Sequence, residues 1–505
     1  MHELIPEERI GEVRTKIVAT VGPASREPSL LRAMVRAGVD VFRLNFSHGT
    51  HDEHSAVLES IRAVETETGR RIAVLQDLSG PKIRLGPIPG GAVDCGFGEE
   101  FVLASERDET LNDPRWLTST YATLPDDLEL GQTVLFADGT VAMEVTSRGN
   151  GWARLKVTLP GRIRSNQGIN VPTAALSVAA LTPKDLDDLN WVVSHQIEYV
   201  GLSFVRQPED VIALRTELQR RGVRARIVAK IEKPQAVANL EGIVAEADAV
   251  MVARGDLGVE LDVAKVPAIQ KRIIETCRMA RVPVITATQM LNSMESSSRP
   301  TRAEASDVFN AVLDGTDAVM LSGETAIGKY PLESVSTMSR IVREAESLVA
   351  ARGTSHSPWG FNSGFVRNGN CEEASARSVA RSSQLLPITG AVVEAASAVC
   401  HRLGAALLVV ASHSGRTALA LSKQRNATPT LALTDDLETA RAMALYWGVT
   451  PLHVPGLFEA SQVLVAAEEW CRQHELIAPG DRVVLLRGVV PNNPSHNAIL
   501  VHEVE

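Results

Sequence analysis

Two stretches, Ala225-Arg226-Ile227-Val228-Ala229-Lys230-Ile231-Glu232 and Asp248-Ala249-Val250-Met251-Val252-Ala253-Arg254-Gly255-Asp256, decide the fold. Each is a short apolar run, and the segment between them has helical period, so the pair reads as a βαβ unit of a buried parallel sheet. Each run also ends in a cation and an acid two residues apart. In extended chain, i and i+2 side chains point to one side of a strand. Lys230 with Glu232, and Arg254 with Asp256, are therefore expected to converge at one mouth.

Working outward, similar runs occur near 15–20, 39–44, 71–77, 198–204, 282–287 and 317–321, which with the first two makes eight candidate strands. Helix starts and stops lie between them: Pro28 to Ala37 before Gly38, Thr182-Pro183-Lys184-Asp185, and Arg299-Pro300-Thr301. Eight such units predict an α/β fold built on a (β/α)8 TIM barrel, with its site at the C-terminal ends of the strands. The barrel is assigned to residues 1–80 plus 173–350. Residues 81–172 lose helical period and carry hairpin signatures at Asp138-Gly139 and Gly149-Asn150-Gly151, so they predict an inserted small β-barrel domain positioned as a lid. A Gly-, Ser-, Asn- and Pro-containing linker is expected at 351–373. Runs at 406–411, 429–433, 449–454, 482–487 and 498–503 then predict a C-terminal α/β domain over 374–505.

This division agrees with a length of 505 residues, given roughly 150 per domain. The chain is 44% hydrophobic and 22% charged with a mean hydropathy of +0.01, values of soluble globular proteins rather than disordered ones. A net charge of −10 and pI near 5.7 argue against nucleic acid or an anionic membrane as partner, so a bound anion needs a local site. The five cysteines, Cys95, Cys277, Cys371, Cys400 and Cys471, form no C-x-x-C pair and read as structural thiols in a reducing compartment. No apolar run nears the ~18 residues that span a bilayer, and the acidic start has no apolar stretch, so a cytoplasmic location is expected.

The strand ends carry the chemistry. They bring Arg43-Leu44-Asn45-Phe46-Ser47-His48, Asp77, Ser203 with Arg206, Lys230 with Glu232, Arg254 with Asp256, Thr288, and Ser322-Gly323-Glu324 to one rim. Two carboxylates, Glu232 and Asp256, suit Mg²⁺, which takes few protein ligands and completes its shell with water and substrate oxygens. Arg43, Arg84 and Lys230 could then stabilise a transferring phosphoryl group, which needs positioning and charge neutralisation. A surface ion pair explains one Lys-x-Glu end, but not polar groups at seven of the eight ends.

Further segments carry a resemblance. Arg14-Thr15-Lys16-Ile17-Val18, Gly22-Pro23-Ala24-Ser25, Arg43 to Gly49, Asp77-Leu78-Ser79-Gly80-Pro81-Lys82-Ile83-Arg84, Met251 to Gly258, Ala287 to Leu291, Arg299 to Glu304 and Leu321 to Thr325 resemble the pyruvate kinase family in order and spacing through 14–345. That resemblance implies phosphoryl transfer from phosphoenolpyruvate to ADP, giving pyruvate and ATP, with Mg²⁺ or Mn²⁺ as cofactor. It implies that Lys230 stabilises the phosphoryl group, Arg43 contacts it, and Glu232 and Asp256 hold the metal. Gly255, Asp256 and Thr288 would hold the substrate carboxylate, with Thr288 near the proton path. Asn45, His48 and Arg84 would follow the nucleotide phosphates. Asn45, Ser47, Asp77 and the Leu78 carbonyl would match a monovalent-cation site. A homotetramer is also implied.

The chain departs from the family pattern at several positions. Lys82 stands where potassium-dependent members carry Glu, and Leu78 and Leu85 stand where they often carry Thr, so potassium is expected not to be required. Gln167 replaces a Lys that reaches the nucleotide in many members. In the C-terminal domain, Ser412-His413-Ser414-Gly415-Arg416-Thr417 lies between a strand and a helix. By itself such a loop is a helix cap or an anion site; its likeness to the family's effector loop implies a phosphorylated allosteric effector, with His413 in place of a frequent Lys.

Two patterns are decoys. Gly323 to Tyr330 nearly matches a Walker A loop but has Tyr330 where a Ser or Thr is needed. His48, His51 and His54 sweep around a helix rather than converging, and His51 and His54 are expected to be solvated. A Mg²⁺-dependent lyase acting on a pyruvate enolate would not need the insert, a nucleotide site or Arg84. A silent homologue would be expected to lose Lys230, Glu232, Asp256 or Thr288, and all four are present.

Overall fold

The computed structural model describes residues 13–106, 113–172, 179–351, 385–456, 460–487 and 497–505. The expected linker at 351–373 lies outside them except for Ala351, which ends the helix Pro331–Ala351, and Cys371 lies outside them as well.

The eight runs form one closed parallel barrel: Lys16–Val21, Val39–Asn45, Ala73–Asp77, Tyr199–Leu202, Arg226–Ile231, Ala249–Ala253, Val284–Ala287 and Ala318–Leu321. The third and fourth strands pair directly, Leu75 opposite Tyr199, although the insert separates them in sequence. Continuous apolar sequence forms these strands because both faces are covered. Val18, Val41, Leu75, Val228, Met251, Ile285 and Met320 pack inside the barrel, while Ile17, Phe42, Ile227 and Val252 meet the outer helices. Capping boxes start several of those helices, among them Thr50 with Glu53 for His51–Thr68, Thr182 with Asp185 for Pro183–His195 and Thr301 with Glu304 for Arg302–Asp314.

Within the insert, a six-stranded and a two-stranded sheet have their own core, including Phe101, Leu103, Phe136, Met143, Leu155 and Val157. Both expected hairpins are present: Thr133–Phe136 pairs with Val141–Gly149, which pairs with Trp152–Leu159. Ala137, Asp138 and Gly139 all have positive φ at the first turn. One short helix, Leu124–Asp127, interrupts the β pattern, started by Pro125 and the acids Asp126 and Asp127.

The C-terminal sheet contains Leu407–Ala411, Thr430–Thr434, Val449–His453, Arg482–Arg487 and Ala498–Glu503, the last antiparallel. This domain closes the barrel floor. Tyr199 is buried, its hydroxyl donates to the Ala442 carbonyl at 2.7 Å, and its ring joins the barrel interior to Tyr446 and Leu445. Packing of the C-terminal domain on the floor leaves the opposite mouth for the strand-end residues. Cys95, Cys277, Cys400 and Cys471 are buried and unpaired, and burial pushes the Cys277 thiol up to about 12.

Candidate active site

At the C-terminal mouth lies a cavity of about 320 Å³ lined by Thr20, Arg43, Asn45, His48, Lys230, Glu232, Asp256, Thr288 and Ser322, with Met251 and Met320 among its apolar lining. Strand alternation positions its central groups. Arg43 Nε and Nη2 each donate to Asp77 Oδ2 at 2.7 Å, while Nη1 donates to Thr20 Oγ1 at 3.0 Å. Lys230 Nζ lies 2.9 Å from Glu232 Oε1, 3.2 Å from Asp77 Oδ1 and 2.7 Å from Ser203 Oγ. Lys230 and Arg43 are only 11% and 12% exposed, so their charges act where water screens little.

The buried acids respond oppositely. Burial pushes the Asp77 carboxyl up, but Lys230 and Arg43 more than offset it and hold its pKa below the usual carboxylate value. Burial also pushes Glu232 up, and here the Asp256 charge adds to it, so its pKa stays above the ordinary value despite Lys230 and the Phe204 N–H, which donates to Oε2 at 2.8 Å. Lys230 is held above its usual value by Asp77 and Glu232 against its burial. Two carboxylates facing one cavity with one lysine between Asp77 and Glu232 fit a divalent cation, because a hard dication would satisfy the charge that Glu232 and Asp256 share.

Arg254 and Asp256 correct the sequence reading. The strand stops at Ala253 and Arg254 begins a helix, Arg254–Glu260, so the i, i+2 pair is turned by about 200° rather than held on one side. Asp256 lines the cavity, whereas Arg254 pairs with Asp307 at 2.7 Å and donates to the Thr288 carbonyl at 2.9 Å. Thr288 follows its strand with φ 66°, uncommon for a β-branched residue, and its Oγ1 accepts from the Gly255 N–H at 2.6 Å. The Gly255 amide and Thr288 hydroxyl are thus brought together beside Asp256.

The remaining expected residues are distributed unevenly. Asn45 Oδ1 accepts from the exposed Ser47 amide, Asp77 is engaged by both cations, and the Leu78 carbonyl accepts from Ser203 Oγ at 2.7 Å. Lys82 is exposed and lies against Gly168 of the insert; it lines a small cavity with Arg206 and Lys233, outside the central one. Arg84 donates to the Asn166 carbonyl at 3.2 Å and Gln167 Oε1 accepts from the Arg164 amide at 2.6 Å, both within or beside the insert.

His51 and His54 are half-buried rather than solvated. His51 Nε2 meets Asp188 at 2.9 Å, and His54 stacks on Phe46 with ring centroids 4.1 Å apart. The third helix of the barrel, Pro183–His195, covers this face, a tertiary contact that helical spacing cannot reveal. Thr20 and the Phe204 amide were not expected at the site. Thr20 sits at the end of the first strand, the one strand end to which no group was assigned, and that position was its signal. The Gly323 to Tyr330 segment serves the barrel: Glu324 accepts from the Leu291 and Ser322 amides at 3.0 and 2.7 Å.

In the C-terminal domain the loop Ser412 to Thr417 lies at the C-terminal end of its strand. Gly415 takes φ 74° before the helix Arg416–Lys423, Ser412 and Thr417 are buried, and Arg416 Nε donates to Ser414 Oγ at 3.2 Å. His413 Nδ1 meets Asp435 Oδ1 at 2.7 Å.

Comparison with known proteins agrees with this arrangement. Residues 12–335 match the family model for the pyruvate kinase barrel domain, and residues 390–502 match that for the pyruvate kinase alpha/beta domain. A pyruvate kinase of Agrobacterium vitis is 41% identical over 94% of this chain and 93% of its own length. One of Mycobacterium tuberculosis is 40% identical over 97% and 98%. The crystal structure of a pyruvate kinase from Cryptosporidium parvum superposes with a TM-score of 0.88 at 30% identity, covering 99% of this chain and 98% of that one. With both domain models matched in order and the relatives aligned nearly end to end, the chain belongs to the pyruvate kinase family.

Proposed function

We propose that the cavity transfers the phosphoryl group of phosphoenolpyruvate to ADP. The bond between phosphorus and the enol oxygen breaks, a bond to the terminal ADP oxygen forms, and the enolate of pyruvate is left to take a proton. The observation that carries this reading is Lys230, held charged between Asp77 and Glu232 with Arg43 on the other side of Asp77. Lys230 and Arg43 neutralise the transferring group, and their carboxylate partners keep them in place before substrate arrives, so little reorganisation is needed. The Gly255 amide, Asp256 backbone and Thr288 hydroxyl take the substrate carboxylate by exchanging the Gly255–Thr288 contact for one to substrate. Thr288 lies along the path of the proton to the enolate.

Glu232 and Asp256 hold Mg²⁺ or Mn²⁺, which when bound supplies charge neutralisation to the phosphoryl oxygens. Asn45, His48 and Arg84 follow the nucleotide phosphates, and the insert acts as the lid that excludes water. Asp77 is already committed to Arg43 and Lys230, which supports independence from potassium at the Asn45, Ser47, Asp77 and Leu78 site. Ser412, His413, Ser414, Gly415, Arg416 and Thr417 bind a phosphorylated effector. The enzyme works as a cytoplasmic homotetramer in glycolysis; no described helix is long and apolar enough to cross a membrane.

The test is pyruvate formation from phosphoenolpyruvate and ADP, coupled to an indicator reaction, with Mg²⁺ present and then removed by chelation. Turnover that requires both substrates and the metal is expected. Absence of pyruvate from saturating substrates and metal would reject the reading.

A further inference from the structure

The connection between the insert and the barrel ends on the neighbours of both proposed metal ligands. The last strand of the insert is Ile169–Asn170. Asn170 is 9% exposed and its Nδ2 donates to Glu260 Oε1 at 2.7 Å. Lys233 Nζ pairs with the same oxygen. Glu260 is 4% exposed, and its Oε2 is buried with no hydrogen-bond partner among the described residues. Glu260 closes the helix Arg254–Glu260, whose first turn carries Asp256, while Lys233 follows Glu232 in the chain.

On the entry side, Gly80 has φ 62°, and a Cβ there would come within 2.8 Å of the Phe204 ring and of Ser203 Cβ. Phe204, with φ 57°, donates its N–H to Glu232 Oε2 and lies beneath Lys233, whose Nζ is 5.7 Å from the ring centroid. Each strand of the connection is therefore tied to one carboxylate of the pair, Gly80 through Phe204 to Glu232 and Asn170 through Glu260 to the helix of Asp256.

We infer that Asn170, Glu260 and Lys233 are positioning residues that couple the setting of the insert to the spacing of Glu232 and Asp256. A buried carboxylate that loses a donor is strongly destabilised, so Glu260 follows Asn170 rather than releasing it. The helix of Arg254–Glu260 has two turns and transmits that displacement to Asp256 as a nearly rigid unit. Coupling is reciprocal: if movement of the insert changes metal affinity, metal binding shifts the insert by the same free energy. The inference rests on the reading of Glu232 and Asp256 as the divalent ligands.

Mn²⁺ binding to the full chain without nucleotide, followed by electron paramagnetic resonance, tests it, together with hydrogen exchange of residues 161–172 with and without Mn²⁺. Asn170→Ala is expected to weaken Mn²⁺ by about 10-fold, as loss of partners behind metal ligands does, and to abolish the Mn²⁺ effect on exchange in the insert. The pair Asn170→Asp with Glu260→Gln reverses the donor and acceptor while keeping one negative charge beside Lys233, and is expected to restore both; it also carries the test should Asn170→Ala fail to fold. Mn²⁺ affinity within twofold of wild type in both Asn170→Ala and Glu260→Gln, with only a lowered unfolding midpoint, would reduce the triad to a structural prop and overturn the inference. If instead Glu232→Gln and Asp256→Asn leave Mn²⁺ binding unchanged, the metal reading itself fails, and the coupling falls with it.

Discussion

Lys230 gathers the contacts of the site on one side chain, since its ammonium reaches Asp77, Glu232 and Ser203 at once. Lys230→Met is expected to lower turnover by roughly 10²–10³, the loss typical of one removed oxyanion stabiliser. Circular dichroism should show the barrel intact, and near-normal turnover at saturating metal would reject the role. Lys82 supports a different prediction. Its exposed ammonium lies by Gly168 of the insert, while Arg43 and Lys230 already neutralise Asp77. Full activity is expected in a buffer free of sodium and potassium with a bulky organic counterion, and Lys82→Glu should gain a potassium requirement. An enzyme inactive until potassium is added would reduce Lys82 to a surface charge.

At the level of elements, the loop from Ser412 to Thr417 presents exposed Arg416 at the first position of a helix, with His413 held by Asp435. A phosphorylated effector at that loop should change substrate affinity by the ~1–3 kcal/mol usual for allosteric coupling. Titration with sugar phosphates and nucleoside monophosphates checks this, with Arg416→Ala expected to lose the response and keep its unactivated turnover. No activation of the wild type by any of them would leave the loop as a helix cap. The strand elements were legible in detail: all eight barrel runs and all five C-terminal runs are strands in the expected order. The end of the sixth strand was not, because Ala253-Arg254-Gly255-Asp256 passes from strand to helix within one residue and composition does not mark that change.

Across the whole molecule, the barrel floor and the C-terminal domain share buried charges. Asp317 is fully buried and meets Lys423 Nζ at 2.6 Å and Arg425 Nη2 at 3.0 Å, both cations only 3% exposed. Burial holds Lys423 below the usual lysine value even with Asp317 beside it. Asp317→Asn would leave two cations without their counter-charge and is expected to destabilise the chain by about 3–5 kcal/mol. Denaturant unfolding measures this; a change under 1 kcal/mol would mean that the triad is no net anchor. Glu65 with Arg441 at 2.7 Å is a second such link, and neither pairing was visible in sequence because the partners lie more than 100 residues apart.

What the sequence by itself determined is the set of elements and the chemical character of the mouth. Burial on both faces requires continuous apolar runs, and barrel closure carries whatever follows each run to a single rim, so Arg43, Lys230, Glu232, Asp256 and Thr288 were recognisable as one group. Only the tertiary structure decided how those charges are shared. Which cation meets which acid depends on how barrel closure brings strand ends together: Arg43 and Lys230, on the second and fifth strands, meet on Asp77 of the third. The same holds for the half-buried His51 and His54, for the Phe204 amide on Glu232 and for Asn170 on Glu260. Side-chain pairing at such distances is set by packing between elements far apart in the chain, and local periodicity carries no information about it.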